Sequence, residues 1–219
     1  MEDKITLILA TTNKGKTAEI QEMLKGFPVD IKDLQQFGML PDVEEDGKTF
    51  EENAYKKASF FSKILGFPAM ADDSGLCVEA LGGEPGIYSA RYAGDQASDT
   101  EKYQKILAEM KNKDNRKAYF QCNISIAVPT GSAISYEGRC DGIISEKAFG
   151  SAGFGYDPIF FYPSANKTFG QMISAEKGKV SHRGLALAEV CNEFDKIIIW
   201  IKQQMPVFKR VQSPVKCVL

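Results

Sequence analysis

Residues whose types suit phosphate binding lie close to the N-terminus. The turn Thr11-Thr12-Asn13-Lys14-Gly15-Lys16 follows a short apolar run and precedes an amphipathic helical pattern. Because the first backbone N–H groups of a helix are free and favour an anion, this turn suits a phosphate group. It lacks the first glycine and the final Lys-Ser/Thr pair of a Walker loop, so a helix N-cap with solvated lysines remains the alternative.

Two groups of carboxylates flank a helix that carries a lysine. Glu44-Glu45-Asp46 precedes this helix, Lys57 lies beside its apolar stripe, and Asp72-Asp73 follows a strand in a pattern typical of an Asp-Ser-Gly turn. Proteins usually hold Mg²⁺ with one or two carboxylates plus substrate phosphates, so these residues predict a magnesium site. Solvated turn charges are the alternative. Lys57 favours the metal site, because it can point along the helix toward the carboxylates and a phosphate.

A cationic segment opens the last predicted helix. Ser181-His182-Arg183 starts this helix, and Lys177 and Lys179 precede it. Positive side chains at a helix N-terminus oppose the macrodipole, so a plain cap costs some stability that an anionic or carbonyl-bearing ligand would reverse. The loop 153–158 adds glycines that allow close backbone approach and Phe154, which can stack on a base.

Other catalytic arrangements are not supported. A Ser-His-Asp triad is excluded because the single histidine would have to perform two roles. A cysteine nucleophile is disfavoured, because no cysteine lies at an electropositive helix start.

The elements that must position these groups begin in the usual order of an α/β domain. The apolar run 4–10 predicts a buried strand, and the turn and helix follow it. Thr49 with Glu52, and Ser98 with Glu101, are Ser/Thr-x-x-Glu patterns that predict the starts of two more helices. Between the first two helices, residues 28–48 are predicted as an acidic loop.

The second half of the chain predicts antiparallel strands. Apolar residues alternate through 118–128 and again through 134–140, with a Pro-Thr-Gly-Ser turn between them, which indicates a long hairpin. A short strand at 159–162 and one helix from Ser181 to Pro206 complete the pattern. We therefore predict a mixed α/β sheet, as one domain over residues 1–205 with a polar tail at 206–219.

Composition excludes several classes of protein. The 219 residues include 27 Lys+Arg and 29 Asp+Glu, and this balance disfavours binding of nucleic acid through phosphate neutralisation. Apolar runs are far shorter than the roughly 18 residues that span a bilayer, so no membrane segment is expected. The five widely spaced cysteines and the acidic N-terminus favour a reducing compartment, and we predict a cytoplasmic protein.

Several spaced motifs together resemble the inosine triphosphate pyrophosphatase family. The resemblance covers almost the whole chain to about residue 201. The matching stretches, in chain order, are Ala-Thr-x-Asn-x-Gly-Lys at 10–16, Thr-Phe-x-Glu-Asn-Ala at 49–54 with Lys57, Asp-Asp-Ser-Gly-Leu at 72–76, Ala-Leu-Gly-Gly-x-Pro-Gly-Ile-Tyr-Ser-Ala-Arg-Tyr at 80–92, Gly-Phe-Gly-Tyr-Asp-Pro-Ile-Phe at 153–160 and Ser-His-Arg-Gly at 181–184.

The resemblance implies an elongated mixed α/β fold with two lobes about a central cleft, and a homodimer. It implies Mg²⁺-dependent hydrolysis of ITP, dITP and XTP to the monophosphate and pyrophosphate.

It also assigns roles to individual residues. Asp73 would activate water and, with Glu45, hold the metal, while Lys57 would assist catalysis. The implied substrate-binding residues are Thr11, Thr12, Asn13, Lys14, Gly15, Lys16 and Lys177 for the triphosphate, Ser74, and Phe154, Gly155, Tyr156, Asp157, His182 and Arg183 for the base.

Donors aimed at a 6-oxo group would explain the choice of base, because adenine presents an NH₂ donor at that position and leaves buried donors unpaired. We offer His182 and Arg183 as these donors.

One departure from the family pattern and three alternatives remain. The family has Thr-Gly-Asn where this chain has Thr11-Thr12-Asn13, and Thr12 would be strained if the backbone required a positive φ. The first alternative is a Maf-like pyrophosphatase that acts on pyrimidine or modified nucleotides. The others are a purine nucleotide-binding module without turnover, and a plain structural domain.

Overall fold

A seven-stranded mixed sheet runs through the protein. The computed structural model describes residues 4–205, so the predicted tail 206–219 lies outside the described residues. The strand order across the sheet is β2-β1-β3-β4-β5-β6-β7. The strands are β1 Ile5–Leu9, β2 Val29–Asp33, β3 Ala69–Val78, β4 Lys117–Ala127, β5 Ala133–Ile144, β6 Phe160–Tyr162 and β7 Lys167–Thr168, and the helices are α1 Lys14–Met23, α2 Phe50–Leu65, α3 Asp99–Glu109, α4 Ser174–Val180, α5 His182–Asn192 and α6 Phe194–Gln204.

The sheet changes from parallel to antiparallel at β3. Strand β1 pairs in parallel with β2 and β3, whereas β3 through β7 pair antiparallel with their neighbours. The hairpin of β4 and β5 pairs from Lys117↔Ile143 to Ala127↔Ala133. This arrangement confirms the predicted mixed α/β fold with its long hairpin.

Helices cover both faces of the parallel part of the sheet. Buried residues of α1, α5 and α6 pack on one face, including Ile20, Leu187 and Ile197. The predicted apolar stripe of α2 packs on the opposite face, where Ala58 and Phe61 meet β1 and β3. A third apolar cluster joins α3 to the far ends of β3, β4 and β5 and to the segment around β6.

The end of β1 creates an opening in the sheet. Strand β1 pairs with β3 only at Ile8↔Ala69 and Leu9↔Met70, and the chain then turns into α1. Strand β3 continues to Val78 and remains paired with β4 on its other edge. The residues of β3 just beyond Met70 therefore face the N-terminus of α1 across a crevice, which is where open α/β sheets bind ligands.

Three predictions about local structure are corrected. The acidic loop 28–48 contains the edge strand β2, whose polar residues at 30, 32 and 33 hid it. Asp72–Gly75 is part of β3 and not a turn. The predicted last helix is two helices that meet at Glu193, and α4 precedes them as a separate short helix.

The helix starts are as expected. Thr49 caps α2 through the backbone N–H of Glu52, and Ser98 forms a full capping box with Glu101 at α3. Within residues 4–205, no helix combines the length and apolar character that crossing a bilayer requires.

Candidate functional site

The candidate site is a cleft of about 510 Å³ beside the end of β1. We call its two sides the α1–α2 wall, which carries the turn 11–16, Glu45, Lys57 and Asp73, and the α5 wall, which carries residues 154–157, Lys177, His182 and Arg183. The structure brings together as lining residues all of the sequence-predicted site residues except Lys14 and Gly15.

The turn before α1 is built around a helix cap. The Asn13 side chain accepts hydrogen bonds from the backbone N–H groups of Gly15 at 2.9 Å and Lys16 at 3.2 Å. Two amides that the sequence assigns to an anion are therefore already bonded, as the N-cap alternative predicts. Thr12, Asn13 and Lys14 are exposed at the mouth of the cleft. The backbone of Thr12 does not adopt a positive φ, so the departure from the family glycine causes no strain here.

Asp72 and Asp73 are consecutive but point to opposite faces of the sheet. Successive side chains of a strand alternate in this way, and both residues lie within β3. Asp72 faces α1 and α5, whereas Asp73 faces α2. The two carboxylates therefore have different partners. The interpretation of residues 72–75 as a turn does not predict this difference.

Asp72 is fully enclosed by hydrogen-bond donors. Its carboxylate forms an ion pair with Lys16 and accepts a 3.0 Å hydrogen bond from Arg183 Nε and a 2.8 Å bond from the Cys122 thiol. Burial alone would raise the pKa of Asp72, but the Arg183 guanidinium and the Lys16 ammonium hold it well below its usual range. Asp72 therefore remains ionised and acts as an anchor for two cations of the cleft.

Asp73 is buried with one oxygen uncommitted. Its Oδ1 lies 3.3 Å from Lys57 Nζ, while within residues 4–205 its Oδ2 has no hydrogen-bond partner. Burial raises the pKa of Asp73, against the opposing effect of Lys57 and Lys16. Lys57 Nζ also lies 3.3 Å from Glu45 Oε2. The pKa of Lys57 is nevertheless raised, because these carboxylates outweigh its burial, so the lysine remains charged.

The cations of the α5 wall are held by buried and partly buried carboxylates. Lys177 Nζ lies 2.7 Å from Asp157 Oδ2 and 2.9 Å from Glu19 Oε1, and Glu19 also pairs with Arg183 Nη1. The side chains of Lys177 and Arg183 are only 5% and 2% exposed. Ion pairs this deeply buried are fixed in place, because separating them would leave uncompensated charges.

Arg183 has little hydrogen-bonding capacity left for a ligand. Besides its bonds to Asp72 and Glu19, its Nη2 donates to Ser74 Oγ at 2.7 Å. A guanidinium has five N–H donors, and these contacts use four of them. Strand β3 and helix α1 thus fix this side chain.

His182 differs from its cationic neighbours. Its ring stacks on Phe120, with centroids 4.5 Å apart and planes 9° from parallel. Burial, reinforced by the nearby positive charges of Arg183 and Lys177, lowers the pKa of His182 well below its usual range, so the imidazole is neutral. Within the described chain, its buried Nδ1 has no hydrogen-bond partner. A buried polar atom left open beside a cleft indicates a ligand contact.

The loop 153–158 is closed by its own aspartate. Asp157 Oδ2 accepts a 2.9 Å bond from the backbone N–H of Phe154. Gly153 has φ +74°, and a Cβ there would lie 1.9 Å from the same oxygen, so only glycine fits. The Tyr156 hydroxyl donates to Ser89 O at 2.8 Å. Burial raises the pKa of Asp157, although the positive charge of Lys177 acts to lower it.

Two residues that matter for the geometry were not predicted from the sequence. Glu19 joins the two cations of the α5 wall, and Asp99 accepts a 2.7 Å bond from the backbone N–H of Gly155. Glu19 occupies a half-exposed position of α1, and Asp99 is the first residue of α3. Both have the pattern of ordinary solvated charges, so the sequence carries no signal that distinguishes them.

Comparison with known proteins identifies bacterial relatives of this chain. The chain is 53% identical over 199 residues to the dITP/XTP pyrophosphatase of Desulfotalea psychrophila, covering 91% of this chain and 89% of that protein. It is 54% identical over 195 residues to the dITP/XTP pyrophosphatase of Syntrophobacter fumaroxidans, covering 89% and 84%.

Solved structures of related proteins have a similar fold. The fold is similar to that of a HAM1 protein from Coxiella burnetii, with a TM-score of 0.81 and 38% identity over 88% of this chain and 99% of that chain. It is also similar to the Staphylococcus aureus Ham1 protein, with a TM-score of 0.79 and 39% identity over the same shares. The model of the Ham1 family matches residues 7–193, and the chain belongs to the Ham1 family.

Proposed function

We propose that this protein hydrolyses the non-canonical purine nucleoside triphosphates ITP, dITP and XTP to the monophosphate and pyrophosphate, and so removes them from the nucleotide pool. The single observation that carries the proposal is Asp73, a buried carboxylate with a raised pKa, a lysine on one oxygen and an uncommitted second oxygen in the cleft. The names of the two bacterial relatives support the same activity and substrates.

The α1–α2 wall performs the hydrolysis in this proposal. The exposed turn 11–16 and the ammonium groups of Lys16 and Lys57 bind the triphosphate, with Lys177 nearby on the other wall. Asp73 takes a proton from a water molecule as the water oxygen bonds to the α-phosphorus. The bond from that phosphorus to the bridging oxygen breaks, and pyrophosphate leaves with the electron pair. A raised pKa suits Asp73 to this role, because a stronger base accepts the proton more readily.

The residues present fit a divalent metal ion. Asp73 Oδ2 is free, and Glu45 and Asp73 each lie 3.3 Å from Lys57 Nζ, so the two carboxylates are neighbours in the cleft. Within residues 4–205, no group of three acidic, histidine or cysteine ligands occurs, which suits Mg²⁺ because it takes its other ligands from substrate phosphates and water. When bound, the ion would supply positive charge to the triphosphate.

The α5 wall selects the base. Phe154 and Tyr156 provide apolar surface, and neutral His182 presents its open ring nitrogen to the 6-oxo group. Because Arg183 is largely bonded to carboxylates, we assign it mainly to positioning, with one N–H left for the base. Adenine would oppose donor to donor at this position, and unpaired buried donors penalise the wrong base strongly.

Pyrophosphate release from ITP, XTP, dITP, ATP, GTP and the pyrimidine triphosphates, with Mg²⁺ and with EDTA, tests the proposal. We expect metal-dependent release that is fastest from ITP, dITP and XTP. Preference for pyrimidine nucleotides would instead support the Maf-like alternative. Tight binding of ITP without pyrophosphate release would support the binding module.

Two further expectations from the sequence analysis remain proposals. A homodimer would be tested by sedimentation equilibrium of the full chain across its concentration range. A cytoplasmic location would be tested by fractionation of the source cells.

A further inference from the structure

Gly15 and Phe154 lie in contact across the cleft. Gly15 is the second residue of α1, on one wall, and Phe154 belongs to the loop of the other wall. A Cβ placed on Gly15 would lie 2.6 Å from Phe154 Cδ1 and 2.8 Å from Cε1. Carbon atoms in favourable contact are about 3.5–4.0 Å apart, so this position of the ring requires a residue without a side chain.

Two cations also lie near the Phe154 ring. Lys177 Nζ lies 4.8 Å and Arg183 Cζ 5.5 Å from its centroid. Both cations are tied to Glu19, one turn further along the helix that carries Gly15. The ring therefore packs against the backbone of α1 and lies near two charges that the same helix holds in place.

The backbone around Phe154 is held by hydrogen bonds, so the ring has little room to move away from α1. Its N–H is bonded to Asp157 Oδ2 at 2.9 Å, and the preceding Gly153 is in the left-handed region against the same carboxylate. Gly155 N–H is bonded to Asp99 at 2.7 Å. A side chain at position 15 would therefore displace the ring, by about 1 Å if a methyl group is to reach normal contact distance.

We propose that Gly15 is a positioning residue for the base: its missing side chain seats Phe154 on the first turn of α1 and so sets where a purine base stacks relative to the bound triphosphate. This inference rests on the proposed function and deepens it. It moves Gly15 from the phosphate contacts that the family pattern implies to a positioning role for the base. Gly15 acts through Phe154, so its effect disappears when the ring is absent.

A double-mutant cycle tests this coupling. The variants are Gly15→Ala, Phe154→Ala and the double substitution, each assayed for kcat and KM with ITP and Mg²⁺. Inorganic tripolyphosphate, which has no base, serves as a competitive inhibitor that reports the phosphate contacts alone. Gly178→Ala is the matched control, because Gly178 is also a helical glycine but has open space where its Cβ would lie.

We expect Gly15→Ala to raise KM for ITP by about tenfold, the size typical of directly coupled neighbours. The inhibition constant of tripolyphosphate should change by less than about twofold, as should KM for ITP when Gly15→Ala is added to Phe154→Ala. Gly178→Ala should match the wild type. A parallel loss of tripolyphosphate binding, or an equal effect of Gly15→Ala with and without the ring, would overturn the inference.

The thermal midpoint of the unliganded variants gives a readout independent of turnover. Gly15→Ala should lower Tm in the presence of Phe154 and raise it in the Phe154→Ala background, because alanine favours a helix once the clash is gone. Additive changes in Tm would contradict the contact. Absence of ITP hydrolysis by the wild type would refute the proposed function, whereas hydrolysis unaffected by Gly15→Ala would refute this inference alone.

Discussion

The two walls of the cleft bury their charged groups to different depths. On the α5 wall, Lys177 and Arg183 are nearly inaccessible, and each is bonded to two carboxylates. On the α1–α2 wall, the turn 12–14 is exposed and the Glu45 side chain remains 36% exposed. The α5 wall is thus fixed before any ligand arrives, as recognition of a flat neutral base requires. The α1–α2 wall keeps charges that can exchange partners when an anion binds.

Asp72 and Asp73 show the same contrast between adjacent residues. Both are buried aspartates of β3, but opposing cations lower the pKa of Asp72 and burial raises that of Asp73. One belongs structurally to the α5 wall and the other to the α1–α2 wall. Substituting each aspartate in turn distinguishes the residue that anchors cations from the residue that takes part in hydrolysis.

The largest expected effect is on activity in Asp73→Asn. The amide cannot accept the proton from water, so kcat for ITP should fall by about 10²–10⁴-fold, the usual contribution of a general base. Folding stability should change little, because Lys57 keeps Glu45 as a counter-ion and the raised pKa of Asp73 means that burial disfavours the charge that is removed. Pyrophosphate release and a urea unfolding curve on the same preparation check both parts. Retention of more than a tenth of the wild-type kcat would exclude Asp73 as the base.

The next effect is on stability in Asp72→Asn. Removing this charge leaves Lys16 without its counter-ion and Arg183 with Glu19 alone, and such losses cost about 3–5 kcal/mol of unfolding free energy. Urea unfolding measures the difference, with Asp73→Asn as the matched control one residue away. Equal destabilisation by the two variants would contradict the separation of their roles.

The sequence motifs predict residues that the structure brings to one cleft, but they do not predict which partners each side chain has. The motifs placed Lys57, Asp73 and His182 on the cleft, because each motif is local and the order of elements brings them together. The interpretation of Asp72–Gly75 as a turn was wrong, since its turn-like composition reflects buried ion pairs within a strand and not solvent exposure. Which face each aspartate meets depends on strand register.

Long-range contacts explain why the sequence does not predict the remaining features. Glu19 reaches residues 158 and 164 positions away, and no local pattern encodes such a partner. The division of the last helix at Glu193 leaves the apolar spacing of 187–201 unbroken, so periodicity alone predicts one helix. These features follow from packing that only the assembled fold specifies.

A third prediction concerns the acid limb of the pH profile. Because burial raises the pKa of Asp73, kcat should begin to fall at a higher pH than an ordinary aspartate would allow, and then drop about tenfold per pH unit. Asp157 on the α5 wall has a raised pKa as well, so its protonation would act on KM by loosening Lys177. The variant Asp157→Asn should therefore keep the acid limb of kcat. Loss of that limb would assign it to the α5 wall.

The smallest expected effect is the pH dependence of stability due to His182. Its folded pKa is lowered, so below the unfolded value of about 6.5 the unfolded chain binds a proton that the folded chain excludes. Stability from this group is thus complete above pH 6.5 and decreases as the pH falls, by at most about 1.4 kcal/mol per pH unit.

The contribution of His182 can be isolated because it is the only histidine in the sequence. Asp73 and Asp157, with raised folded pKa values, act in the opposite direction, since the folded protein then binds protons first. The difference in unfolding free energy between wild type and His182→Gln, followed by urea unfolding from pH 7.5 to 5, cancels those carboxylates. The wild type should lose stability relative to the variant as the pH falls. A constant difference would mean that the imidazole is solvated. The description of the α5 wall as rigid and closed to water would then be wrong.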